Sequence, residues 1–123
     1  MEFFAAAEKM INGDVLQARL DIASLPAFCA SIIQVLSNDG NEGEIYCTWG
    51  LFFVRREPIR GGVRFTLPKC PNTLAWTITT GLPPASERIV VHLTINRTEH
   101  DPEFVASIEK FMEDWRHGLE ARL

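Results

Sequence analysis

Few residues in this sequence can do chemistry, and their spacing joins no two of them into a catalytic unit. Three cysteines (Cys29, Cys47, Cys70) and three histidines (His92, His100, His117) are the candidates for nucleophilic and acid–base work. Nucleophilic catalysis needs a thiol or hydroxyl with a base in reach, and the chain has no Gly-x-Ser-x-Gly elbow. Cys29 and Cys47 fall in apolar runs, where a thiol behaves as a small hydrophobe. Cys70 lies between Lys69 and Pro71 in a turn; the lysine would lower its pKa, but one basic neighbour alone makes no active thiol. Glu113 and His117 have helical i, i+4 spacing, yet two ligands do not make a metal site. His92 sits mid-strand beside Thr77, Thr79 and Thr94, where it can orient a ligand or serve as a hydrogen-bonded structural histidine. His100 belongs to a helix entry. Phosphate loops, dinucleotide fingerprints and paired carboxylates are absent, and Asn96-Arg97-Thr98 fits a glycosylation acceptor with no secretion signal to give it meaning. The sequence therefore assigns no catalytic residue, no metal and no cofactor, and leans away from an enzyme.

Basic charge is concentrated in one place. Arg55, Arg56, Arg60, Arg64 and Lys69 lie within fifteen residues that hold a single acid, Glu57. Arginines on a hairpin beside Gly61-Gly62 can make forked, charge-assisted bonds to an acidic protein surface. The chain as a whole has twelve Lys and Arg against sixteen Asp and Glu, a formal charge of −4, which argues against nucleic acid and anionic lipid.

The elements that would position these residues follow from hydrophobic period. Phe3, Phe4, Ala7, Met10 and Ile11 have helical spacing before Asn12-Gly13, so a first helix is expected over 2–11. Leu16, Ala18, Leu20 and Ile22 alternate as a half-buried strand. Ser24 can cap a second helix, with Leu25, Phe28, Cys29, Ile32, Ile33 and Leu36 at spacings of three and four, ended by Asn38-Asp39-Gly40. No charged residue lies between Asp21 and Asp39, so this helix is expected to be covered around most of its circumference. Residues 44–56 read as one strand with two apolar faces, and 63–67, 74–79 and 89–96 alternate more cleanly. Short Gly- and Pro-containing connections favour an antiparallel meander. Asp101-Pro102-Glu103 starts a last helix whose Phe104, Ile108, Phe111, Met112, Trp115 and Leu119 share one arc of roughly 100°.

These readings give a single α+β domain over 1–123: an antiparallel sheet of four to five strands, a C-terminal amphipathic helix on one face and two N-terminal helices. Apolar residues make up 46% and charged residues 23%, ordinary for a globular domain. Glu2 stands where a signal peptide carries basic charge, and three cysteines match no disulfide framework, so a cytoplasmic location is expected.

The first functional reading is a non-enzymatic interaction domain of the chaperone, adaptor, immunity or inhibitor type. It would bind a protein partner, or itself as a homodimer, through the uncharged helix, marked by Gln34, the mixed sheet face, marked by Arg64 and Thr77, and the basic hairpin of Arg55, Arg56 and Arg60. The alternative is a small apolar ligand-binding module or modest enzyme, with a pocket between sheet and C-terminal helix lined by Tyr46, Trp49, Trp76, His92 and Trp115. In element order that alternative is similar to helix-grip ligand binders.

Overall fold

A computed structural model describes residues 1–83, 85–96 and 101–123. Among them, seven strands form one antiparallel sheet: β1 (Glu2–Ala7), β2 (Ile32–Asn38), β3 (Glu42–Cys47), β4 (Gly50–Ile59), β5 (Gly62–Thr66), β6 (Ala75–Thr80) and β7 (Ile89–Thr94). Their spatial order is β1-β7-β6-β5-β4-β3-β2. Helices α1 (Gly13–Arg19) and α2 (Leu25–Phe28) lie between β1 and β2, and α3 (Pro102–Arg122) closes the chain. The fold is α+β, with a C-terminal helix packed on an antiparallel sheet. His100 and the Asn96-Arg97-Thr98 motif fall wholly or partly outside the described residues.

The C-terminal half follows its sequence pattern. Val63, Phe65, Trp76, Ile78, Ile89, Val91 and Leu93 all point into the core, and Asp101 caps α3 by accepting a hydrogen bond from the Glu103 amide at 2.8 Å. Ile108, Phe111, Met112, Trp115 and Leu119 line the buried side of α3.

The N-terminal third departs from expectation in three places. Residues 2–7 form an edge strand instead of a helix. Phe3, Ala5 and Ala7 satisfy period two as readily as Phe3, Ala7 and Met10 satisfy the helical period, and six register pairs with β7 decide between them. Asn12 starts a helix instead of stopping one: its side chain accepts from the Asp14 amide at 2.7 Å, and Leu16 and Leu20 bury at i, i+4. The expected helix over 24–37 is one short turn followed by β2. Ser24 holds the cap position without a side-chain cap bond, and the β-branched Ile32, Ile33 and Val35 take the chain into the sheet. The uncharged stretch is therefore not a covered helix; Ile33, Gln34, Leu36 and Ser37 are exposed along the sheet edge.

Residues 44–56 are also two strands. Thr48 and Trp49 form a tight turn, and Gly50 takes φ +111°, a conformation that favours glycine. The turn shifts the phase, so Ile45, Cys47, Phe52 and Val54 face inward while Tyr46, Leu51 and Phe53 face outward. The half-buried strand expected through Leu16, Ala18, Leu20 and Ile22 does not form, because α1 takes Gly13–Arg19; losing it, splitting 44–56 and adding β1 and β2 brings the expected four to five strands to seven. Among the described residues no helix is long and apolar enough to cross a membrane.

Candidate functional site

Where α3 lies on the sheet, aromatic rings from four elements converge. Phe65 of β5 and Trp76 of β6 stand 5.4 Å apart between ring centroids. Phe111 and Trp115 of α3 meet Trp76 at 5.0 and 6.5 Å, and Trp49 from the β3–β4 turn reaches Phe111 at 4.9 Å. Trp76, Trp115, Phe65 and Phe111 are fully buried. The Nε1 atoms of Trp76 and Trp115 are buried and have no hydrogen-bond acceptor among the described residues. An orphaned buried donor costs about 1–3 kcal/mol, so two of them in one interior are a chemical feature as well as a packing one. Trp49 differs: it is half-buried, and its Nε1 donates to Ser107 Oγ at 2.8 Å, which in turn donates to the Phe104 carbonyl at 2.5 Å.

Of the five residues read as a ligand pocket, the fold gathers Trp49, Trp76 and Trp115 and leaves out Tyr46 and His92. Strand alternation places these last two on the outward face. Tyr46 pairs across the sheet with Leu51 and Gln34. His92 Nε2 lies 2.9 Å from Glu2 Oε1, and its ring stacks on Phe4 with centroids 4.3 Å apart.

The basic cluster is divided in the same way. Arg55 points outward and pairs with Glu42 at 3.2 Å, and Arg64 stands opposite Glu57 and Thr77. Arg60 is exposed at the β4–β5 turn. Arg56 turns inward: its Nε donates to the Leu20 carbonyl at 2.7 Å and its Nη2 to the Gln17 carbonyl at 2.5 Å, closing the C-terminal end of α1. Arg56 is thus a structural residue, and the five cations do not form one surface.

Burial pushes the Cys29 thiol up to about 12 and raises that of Cys47 in the same direction, so both stay protonated at neutral pH. Among the described residues no group of three or more His, Cys, Asp or Glu side chains converges as a metal site.

Leu51, Phe53 and Ser107 were not singled out by sequence. The Gly50 turn signal would have exposed the first two, since a turn there reverses which residues face out. Beside Phe53 lies a groove of about 530 Å³, lined in part by Ser37, Asp39, Glu42, Arg55 and Lys69.

No family model matches the sequence, and no curated protein matches it. Solved structures do. An uncharacterized protein from Bacillus thuringiensis superposes with a TM-score of 0.61 at 13% identity, over 95% of this chain and 97% of that one. The protein XoxI from Bacillus cereus gives 0.61 at 14% identity, over 99% and 98%. A START superfamily protein from Mycobacterium smegmatis gives 0.59 at 8% identity, over 99% and 94%. At these identities the likeness is one of fold alone: an antiparallel sheet with the C-terminal helix packed against it.

Proposed function

We infer that the chain is a non-catalytic, helix-grip-type ligand-binding module that takes a small, largely apolar molecule carrying a hydrogen-bond acceptor between the sheet and α3. The observation that carries this reading is the pair of buried, unpartnered indole N–H groups on Trp76 and Trp115 within the aromatic interior. A ligand carbonyl or ether oxygen accepting from either one relieves an unsatisfied donor, and its apolar body gains about 25 cal/mol per Å² buried. The fold shared with a START superfamily protein supports the location by analogy of architecture.

The rings pack against one another across this space, so a ligand enters by displacing one of them. Trp49 is best placed to move, because it is half-buried, sits in a two-residue turn and is held by one side-chain hydrogen bond, to Ser107, and by ring contacts with Phe104 and Phe111. A reducing compartment such as the cytoplasm suits the three free thiols.

The test is intrinsic tryptophan fluorescence during titration with apolar carbonyl compounds of different shape: 2-undecanone, flavone and progesterone. At least one should give a saturable change, reported by the remaining tryptophans, whose dissociation constant Trp76→Phe or Trp115→Phe raises. The absence of a saturable response to all three would remove the reading.

A further inference from the structure

The outward face at the corner formed by β2, β3 and β4 is apolar and uncovered. Leu51 is 61% exposed, Phe53 47% and Tyr46 44%, and Ile33 and Leu36 extend the cluster along the edge strand β2. Five such side chains, each about half exposed, present roughly 500 Å² of apolar surface, the upper range for a patch on a monomer. With a polar margin this approaches the roughly 800 Å² per partner of a standard interface.

The charges beside the patch identify the occupant. Glu44 of β3 stands in register with Phe53 on one side, and Lys69, from the connection after β5, lies over the Phe53 ring at 4.5 Å on the other. Neither makes an ion pair among the described residues, whereas the adjacent Glu42 and Arg55 pair with each other. An acidic partner would satisfy Lys69 and repel Glu44, and a basic partner would do the reverse. A second copy of this chain satisfies both. We propose that this face is a homodimer interface, in which two copies pack face to face about a two-fold axis along β4 over Leu51 and Phe53, bringing Glu44 of each copy to Lys69 of the other and setting the two Arg55 side chains, each paired with its own Glu42, side by side on the axis. Such a contact is isologous, and residues on the axis meet their own copies. A contact at the small end of the range for specific interfaces is expected to be weak and reversible, although area alone does not set its Kd.

Sedimentation equilibrium of the full chain tests this. The expected result is a reversible dimer that Leu51→Arg weakens by at least about 30-fold, because an arginine with no carboxylate partner, unlike Arg55 with Glu42, meets its own copy on the axis. Glu44→Lys and Lys69→Glu should each weaken it by about 5- to 10-fold, and the two together should return it to within about threefold of the starting chain, since each pair re-forms with its signs exchanged. All three positions are at the surface, and an unchanged far-UV circular dichroism spectrum verifies folding of each variant. A monomer up to about 200 µM, with or without another protein bound, would overturn the proposal. So would a double variant that dimerises more weakly than either single one.

Discussion

Trp76 on the sheet and Trp115 on the closing helix bring their rings to within 6.5 Å, and both indole N–H groups point into protein without finding an acceptor among the described residues. Volume and polarity therefore make opposing contributions at these positions. Trp115→Ala should cost about 3–5 kcal/mol in urea-induced unfolding, because the side chain is fully buried among Phe28, Phe65 and Trp76. Trp115→Phe should cost less than half as much, since it keeps most of the apolar contact and removes the orphaned donor. Both variants remove the donor, so equal losses would show that the ring retained by phenylalanine contributes nothing to packing at this position.

Arg56 and Arg60 provide a contrast within one hairpin. Arg56→Ala leaves the carbonyls of Gln17 and Leu20 without their charged donor and should destabilise the fold by about 2–3 kcal/mol. Arg60→Ala, at an exposed turn, should stay within about 0.5 kcal/mol. Chemical denaturation of the two variants side by side measures the difference.

Gly118 permits the close approach of α2 to α3. A Cβ at this position would overlap the carbonyl of Phe28, a backbone atom that cannot move without shifting the short helix. Gly118→Ala gains about 1 kcal/mol of helix propensity, yet the overlap costs more, and a net loss of about 1–2 kcal/mol is expected. A thermal midpoint at or above that of the parent chain would show that α2 yields freely.

The thiols should separate by burial. At pH 8 an aromatic disulfide reagent should modify Cys70 in the native chain and reach Cys29 and Cys47 only after unfolding. The raised Cys29 pKa also has a sign for stability. Between its unfolded value near 9 and its folded value of about 12, the unfolded chain gives up the proton first, so stability falls as pH rises through this window. Substituting Cys29 with Ala should flatten that alkaline decline; an unaltered slope would assign it to other groups.

The parts of the fold legible in the sequence are those where a local signal and the tertiary contacts agree. Asp101-Pro102-Glu103 marks the start of α3 without ambiguity, and the alternation from Val63 to Leu93 gives the correct inward set. The misread segments are those where two periods fit the same residues. The run from Phe3 to Ala7 satisfies a helix or a strand, and only pairing with β7, distant in sequence, selects the strand. The segment after Ser24 satisfies a helix up to Phe28 and is then claimed by β3. At Thr48-Trp49 the turn carries no Asn, Asp or Pro, and the single glycine that permits it, Gly50, was absorbed into a continuous apolar strand. The phase change at this turn, which unbroken alternation does not reveal, puts Leu51 and Phe53 on the outward face. The burial of Trp76 and Trp115 is legible from size and apolar spacing, whereas the outward placement of Tyr46 and His92 depends on strand phase, which residue type does not reveal.

The proposed binding site is tested most directly by the three indole N–H signals in a ¹⁵N–¹H correlation spectrum. Trp49 gives the reference position of a hydrogen-bonded indole N–H in the unliganded chain, because it is donated there to Ser107. On saturation with an apolar carbonyl ligand, the Trp76 or Trp115 signal should move downfield as it acquires an acceptor. Unmoved Trp76 and Trp115 signals at saturating concentrations of every probe, or a shift confined to Trp49, would contradict a ligand held between the sheet and the closing helix.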